Sequence, residues 1–150
     1  MTFNMDAAAS SNVDEFVADG WEPFENKGFI GLIGPVLFRT HETKTRCGFL
    51  ASDKHENRNG VIHGGMLAAF ADRSLGTAAR QGRSDIRTAT IELSMHYVSS
   101  VNIGEFVEAD CEIVRMTRTL AFMRATLTVG TRIVATAEGV WKILIPKEAT

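Results

Sequence analysis

The residues with the clearest chemical potential are a histidine and a carboxylate that stand nine positions apart. His63 is followed by Gly64 and Gly65, and Asp72 is the first acid after them in a run of small and apolar residues. On a helical wheel, the face around Asp72 consists of glycine, alanine and leucine. Because burying an unpaired ionised carboxylate is costly, three explanations are open: Asp72 is a functional acid, it faces solvent, or it pairs with an arginine such as Arg73 or Arg80.

The start of the same segment predicts an oxyanion site. Backbone N–H groups in the first turn of a helix have no intrahelical acceptor, and the helix dipole places about half a positive charge there. Gly64 and Gly65 would let a substrate approach this main chain closely. Such N–H groups stabilise the charge that develops on a carbonyl oxygen. The alternative is a tight turn that needs glycine for its backbone conformation.

The distance between the two groups predicts a dimer. At 1.5 Å per residue, a helix would separate His63 from Asp72 by about 13 Å, which is too far for both to act on one carbon atom. In a two-fold dimer with antiparallel helices, Asp72 of one subunit would meet Gly64 of the other. If both groups are functional, each site therefore takes residues from two chains.

The elements that would position these residues form an α+β pattern. One long helix is predicted from Gly64 to about Gln81, and a short helix is predicted after Asn12, its cap. Residues 28–53 are predicted as two strands joined by a hairpin at residues 41–45. Four later segments have the composition and alternation of strands: residues 88–100, 105–117, 119–130 and 131–144. We expect an antiparallel sheet packed on, or wrapped around, the one long helix.

Composition narrows the classes of function. The chain has 150 residues, which suit one domain, and its net charge of -2 provides no basic surface for nucleic acid. Cys47 and Cys111 form no CxxC pair, which argues against a zinc site and a disulfide framework. The first dozen residues lack the pattern of a signal peptide, and no apolar run reaches the roughly 18 residues of a membrane span. We therefore expect a cytoplasmic protein without nucleic-acid or membrane partners.

The spaced motif as a whole resembles the hotdog-fold thioesterases, in particular the phenylacetate-pathway (PaaI-like) type of the hydroxybenzoyl-CoA thioesterase superfamily. The match is N-x-x-G-x-x-H-G-G, from Asn57 to Gly65, with Asp72 nine residues after His63 and with Thr90 at the start of a strand. The resemblance implies a hotdog fold, in which an antiparallel sheet wraps around a central helix. That domain would span residues 28–150, behind an N-terminal segment, residues 1–27, with the short helix.

The resemblance also implies residue roles. Asp72 would act on the thioester as general base or as nucleophile, with Thr90 of the same subunit orienting it or the attacking water. The Gly64 N–H and the Asn57 amide of the other subunit would hold the carbonyl oxygen, and His63 would lie near the leaving sulfur. Substrate-binding residues are expected at the beginning of the helix, namely Gly65, Met66 and Phe70.

The implied activity is hydrolysis of acyl-CoA thioesters. Members of the family act without a metal or an organic cofactor and assemble as homodimers or homotetramers. The first expectation for the acyl group is an aryl-acetyl or medium-chain acyl group, bound by shape and apolar contact.

Other functions on the same fold fit less well. A non-catalytic module that binds or senses acyl-CoA is the main alternative, because a fold does not establish an activity. The carboxylate at Asp72 favours catalysis. The acyl-thioester hydratases and dehydratases are a second enzyme class on this fold, but the chain lacks the H-x-x-x-x-G-H-F-P pattern of the acyl-carrier-protein dehydratases. Outside this fold, a metalloprotease is excluded because neither HETKT nor HENRN supplies the second histidine of H-E-x-x-H.

Overall fold

One antiparallel sheet and one long helix dominate the structure, a computed structural model that describes residues 13–25, 27–42 and 44–147. The helices are α1 (residues 13–18), α2 (Gly28–Ile33) and α3 (Gly64–Ala79). The strands are β1 (Glu22–Pro23), β2 (Val36–His41), β3 (Lys44–Leu50), β4 (Arg87–Tyr97), β5 (Phe106–Met116), β6 (Leu120–Val129) and β7 (Arg132–Leu144). They lie in the order β1-β2-β3-β5-β6-β7-β4, and each neighbouring pair is antiparallel.

The core lies between α3 and the sheet. Phe70 of α3 meets Phe49 of β3 edge to face, with ring centroids 4.8 Å apart. Leu75, one turn further, is also fully buried, as is Trp141 of β7. Apolar side chains on one face of α3 therefore bind the helix to the sheet, since burial of each such side chain contributes about 1.5–3 kcal/mol. This architecture confirms the predicted α+β fold with one long helix packed on an antiparallel sheet.

The predicted long helix and the four later strands are confirmed. α3 begins at Gly64 as predicted and ends at Ala79. Gln81 and Gly82, with φ of 50° and 75°, then turn the chain out of the helix. No helix in the described residues is long and apolar enough to cross a membrane.

The prediction of a strand at residues 28–33 is wrong, because this segment is α2. Its apolar side chains follow a helical spacing: Ile30 and Ile33 are half-buried and pack against the core. Phe29 and Leu32, on the opposite face, are exposed. The predicted strands on either side of the hairpin at 41–45 are confirmed as β2 and β3.

Residues 13–25 of the N-terminal segment dock against the edge of the sheet. The predicted short helix is present as α1, whereas its predicted cap, Asn12, lies outside the described residues. Trp21 is buried, and β1 pairs with β2. The boundary between residues 1–27 and 28–150 stays a prediction.

Strand β4 lies at the other edge of the sheet and pairs only with β7. Its register shifts between Thr90 and Glu92, which leaves Ile91 as the extra residue of a bulge. Ile91 and Tyr97 are 57% and 54% exposed. The outer edge of β4 therefore presents unpaired backbone groups together with exposed apolar side chains.

Candidate active site

A hydrogen bond joins the predicted acid to the predicted threonine. The Thr90 hydroxyl on β4 donates to Oδ1 of Asp72, at 2.5 Å. Asp72 is half-buried, and none of the ion pairs in the described residues involves it. Pairing with Arg73 or Arg80, one of the explanations left open, is therefore not what the structure has. Asp72 carries instead one positioned hydroxyl donor.

Strand β4 binds α3 at three points along the helix. Beyond Thr90, the Thr88 hydroxyl donates to the carbonyl oxygen of Gly76 at 3.1 Å. The Tyr97 hydroxyl donates to the carbonyl oxygen of Gly64 at 3.0 Å. These bonds hold β4 alongside α3, so the position of Asp72 relative to the sheet is fixed near the helix centre.

The start of α3 is capped by His63. Its Nδ1 accepts a hydrogen bond from the Gly65 N–H at 2.8 Å, so the neutral ring carries its proton on Nε2. A Cβ at residue 65 would lie 2.8 Å from that nitrogen, and one at residue 64 would lie 3.2 Å from the Tyr97 ring. Neither glycine has a positive φ. The tight-turn explanation is therefore wrong, and both glycines serve close approach.

One backbone donor stays open at this helix start. The Gly65 N–H is bound by the histidine cap. The Gly64 N–H is the first of the helix and has no intrahelical acceptor. Gly64 is therefore the predicted oxyanion donor that the structure leaves available.

Asn57 lies in the loop before the cap and is held by its own backbone. Its Oδ1 accepts from the N–H groups of Asn59 and Val61, at 2.8 and 3.3 Å. The Asn57 N–H also donates to the carbonyl oxygen of Val61 at 2.7 Å. Because Oδ1 is occupied twice, Nδ2 is the free end of the amide, and no described residue accepts a hydrogen bond from it. The side chain is thus oriented as a hydrogen-bond donor.

The chain therefore carries two half-sites, one at the start of α3 and one near its middle. Asn57, His63 and Gly64 form the donor half-site, and Asp72 with Thr90 forms the acid half-site. Gly64 and Asp72 are eight positions apart in α3, which corresponds to about 12 Å. One chain does not bring the two half-sites to the same atom.

A cavity of about 120 Å³ opens beside the acid half-site. Its lining comes from α3, β4 and β7: Asp72, Arg73, Gly76, Thr77, Arg80, Thr88, Thr90 and Trp141. Charged and hydroxyl groups dominate this lining, which differs from the apolar pocket expected from the sequence.

The predicted substrate-binding residues occupy different surroundings. Gly65 is exposed at the helix start. Met66 and Phe70 are 6% and 0% exposed and belong to the core between α3 and the sheet. Their contact with a substrate stays a prediction.

The sequence predicts no role in the site for Tyr97 or Arg73, and it offers Arg80 only as one of several arginines that could meet the phosphates of CoA. Tyr97 is the only tyrosine of the chain, and its position seven residues after Thr90 is the signal that links it to the site. The two arginines are also seven residues apart, which places both on one face of a helix.

The cysteines are not competing nucleophiles. Burial raises the pKa of Cys47 to about 11 and also raises the pKa of Cys111. Both thiols are buried and stay protonated at neutral pH. Neither lines the cavity beside Asp72.

Comparison with known proteins places this chain in a family. The family model of the thioesterase superfamily matches residues 59–136, which include His63, Asp72 and Thr90. A Pseudomonas aeruginosa protein provisionally named an esterase is 30% identical over 130 residues, which are 85% of this chain and 97% of that protein. Acyl-coenzyme A thioesterase 13 from Mus musculus is 27% identical over 106 residues, 70% of this chain and 76% of that enzyme.

A solved structure shares the fold. The phenylacetic acid degradation protein PaaI from Thermus thermophilus, solved with one substitution, superposes with a TM-score of 0.66 at 22% identity. The match covers 76% of this chain and 96% of that chain. The predicted hotdog fold and the predicted class of enzyme, a thioester hydrolase, are confirmed. On the match over residues 59–136 and the 30% identity with the bacterial relative, this chain belongs to the thioesterase superfamily.

Proposed function

We propose that the protein hydrolyses acyl-CoA thioesters in sites that two copies of the chain build together. The observation that carries this proposal is the Asp72–Thr90 hydrogen bond in the middle of α3, set apart from the free Gly64 N–H at its start. An acid and an oxyanion donor about 12 Å apart need a second chain to meet. The name of the mouse relative supports a CoA thioester as the substrate.

The free edge of β4 supports the mode of assembly. If two copies pair antiparallel along this edge around residues 93–94, Thr90 of one strand lies close to Tyr97 of the other. Thr90 binds Asp72, and Tyr97 binds Gly64. The same pairing would therefore bring the acid half-site of one subunit to the donor half-site of the other and cover exposed apolar side chains.

Such a site has the groups that thioester hydrolysis needs. Asp72 accepts a proton from an attacking water, or itself attacks the thioester carbon to form an anhydride that water then hydrolyses. The Gly64 N–H and the Asn57 amide of the other subunit donate to the developing oxyanion. His63, with its proton on Nε2, lies near the departing CoA sulfur. Because a thiolate is a good leaving group, an aimed water and a polarised carbonyl suffice.

The acyl group is the finer part of the proposal. An aryl-acetyl or medium-chain acyl group is the expectation from the sequence. Because the lining of the cavity beside Asp72 is polar, a comparison of substrates should vary the chemical group at the far end of the acyl chain.

Replacing the acid tests the chemistry. We expect Asp72→Asn to lower kcat by at least about 10²-fold, the loss of a positioned general base, in a thiol-release assay with acyl-CoA. Asp53→Asn, at an exposed aspartate outside the site, is the matched control and should retain activity. Wild-type turnover by folded Asp72→Asn would reject the assignment of Asp72. Binding of acyl-CoA without any hydrolysis would favour the non-catalytic module.

Mixing inactive subunits tests the shared site. Asp72→Ala and Asn57→Ala subunits, each inactive alone, form one intact site in every mixed dimer. Random exchange should restore about a quarter of the wild-type sites, because half of the dimers are mixed and each has one good site. Full activity in a monomer, measured at the assay concentration, would contradict the two-chain site.

A further inference from the structure

We infer that the cavity beside Asp72 recognises an acyl group whose far end carries a carboxylate. The inference rests on the proposed function, because it concerns the substrate of the same site. The formal charges of the lining groups are one carboxylate, Asp72, and two guanidinium groups, Arg73 and Arg80. The cavity therefore has an excess of positive charge directly beside the acid that would act on the thioester.

Arg73 and Arg80 differ from the other arginines in the described residues, each of which is either paired with a carboxylate or exposed. Five arginines form ion pairs with carboxylates in the described residues: Arg39, Arg46, Arg83, Arg124 and Arg132. Arg73 and Arg80 are half-buried and form none there. Their Nε atoms are buried and find no acceptor among the described residues. Buried donors without acceptors are uncommon in folded proteins, so an anionic ligand is the simplest explanation of this pair.

Arg73 is held in place without a counter-charge. Its guanidinium lies over the ring of Phe24, 4.5 Å from the centroid. Phe24 in turn packs on Phe38 with the centroids 4.6 Å apart. An aromatic face stabilises the cation and leaves its edge donors free, so the group is positioned before a ligand binds.

The floor of the cavity adds a further donor. A Cβ built at Gly76 would lie 3.4 Å from Nε1 of Trp141 and 3.2 Å from the Thr88 hydroxyl. No described residue accepts a hydrogen bond from this indole N–H, although Trp141 lines the cavity. Glycine at residue 76 keeps the space above the indole open.

The volume of the cavity in one chain favours a short acyl group. A volume of about 120 Å³ corresponds to roughly four water molecules. This space takes a carboxylate and a short methylene chain when the thioester lies at Asp72. A methyl end of the same length would leave both guanidinium groups desolvated and unpaired, and sites that hydrogen-bond a substrate reject such analogues most strongly.

Matched pairs of substrates test the inference on the full-length protein. Five- and six-carbon acyl-CoA thioesters are compared in pairs that differ only in a carboxylate or a methyl group at the far end, namely glutaryl with valeryl and adipoyl with hexanoyl. Rates without enzyme are subtracted, since a terminal carboxylate attacks its own thioester. We expect the wild type to have the higher kcat/KM for the carboxylate member of at least one pair.

Arginine variants assign that preference to the cavity. Arg73→Gln and Arg80→Gln should lower kcat/KM for the carboxylate member by roughly tenfold or more relative to its methyl partner, the effect of one lost charge-assisted hydrogen bond. Arg80→Lys keeps the positive charge and is the second variant in case Arg80→Gln does not fold. It should retain part of the preference for the carboxylate member. Arg83→Gln is the matched control, because Arg83 pairs with Asp85 and does not line the cavity.

Two further arms separate the possible failures. The arginine variants could instead lose activity equally with both acyl partners, and this loss could disappear with acyl-pantetheine thioesters, which lack the nucleotide phosphates. That result would assign the arginines to CoA and overturn the inference. Titration calorimetry with glutarate and valerate needs no turnover: we expect glutarate to bind the wild type more tightly than valerate, and Arg80→Gln to abolish the difference. Glutarate binding without thioester hydrolysis would reject the proposed function alone. No difference between the two acids, or a preference for methyl-ended thioesters, would overturn the inference.

Discussion

The hydrogen bond between Thr90 and Asp72 predicts the effect of removing one hydroxyl group. Thr90→Val keeps the β-branched shape that suits a strand and deletes only the donor to the carboxylate. A hydrogen bond to a charged group contributes about 1.5–3 kcal/mol. If this bond aims the carboxylate at the attacking water or at the thioester, its loss lowers kcat by roughly 10- to 150-fold, since each 1.36 kcal/mol is tenfold. The half-exposed position of Asp72 favours the lower end of that range.

The assay is thiol release from an acyl-CoA at saturating concentration, with urea unfolding as the measure of stability. Thr90→Ser restores a hydroxyl at the same carbon and should recover most of kcat. Thr88→Val is the matched control on the same strand, because Thr88 donates to the Gly76 carbonyl oxygen and not to Asp72. It should reduce stability slightly and kcat much less than Thr90→Val does.

Two results would refute this reasoning. The first is wild-type kcat in folded Thr90→Val, which would mean that Asp72 needs no orienting donor. The second is an equal loss of kcat in Thr90→Val and Thr88→Val, which would assign the effect to the packing of β4 on α3 and not to the carboxylate.

Two more predictions concern the loop and the helix start. His55 is buried, with Nδ1 accepting from the Ser52 N–H and Nε2 bonded to the Ile33 carbonyl oxygen at 2.6 Å, and burial lowers its pKa. The folded chain keeps His55 neutral at a pH where the unfolded chain protonates it. The free energy of unfolding should therefore fall as pH drops below about 6.5. Urea titrations should find that stability depends less on pH between pH 5 and 7 in His55→Gln than in the wild type. Gly65→Ala should lower the free energy of unfolding by about 1 kcal/mol, because its Cβ would displace the His63 cap; an unchanged urea midpoint would contradict the cap.

Elements with a repeating pattern were predictable from the sequence. α3 and the last four strands were found because a helical face and an alternating strand are local properties of the chain. The segment at residues 28–33 was misread, because its two glycines and four apolar residues fit either element over so short a length. Its helical state depends on Ile30 and Ile33 reaching the core and on His55 binding its last carbonyl.

The acid half-site was predictable, but the character of its cavity was not. The spaced motif predicted Asp72 and Thr90, which the structure brings together, and Asn57, His63 and Gly64 near the helix start, whose roles stay predictions. A sequence does not say which carboxylate an arginine meets, so pairing of Arg73 or Arg80 with Asp72 stayed open until the structure was known. Their significance comes from tertiary structure: neither forms an ion pair within the described residues, although the chain as a whole has more acids than bases.

The orientation of the Thr90 side chain depends on the register of β4 against β7, and Gly139 of β7 maintains that register. A slip of one residue in β4 would turn Thr90 to the other face of the sheet and away from Asp72. The bulge between Thr90 and Glu92 fixes the pairing with β7 at this point. A Cβ at Gly139 would clash with the carbonyl oxygen of Glu92, so a side chain there would force β4 away from β7. Gly139 lies two positions before Trp141, which lines the cavity. Its small size thus maintains the register that orients Thr90 toward Asp72. The same register determines which residues the free edge of β4 presents to a second chain.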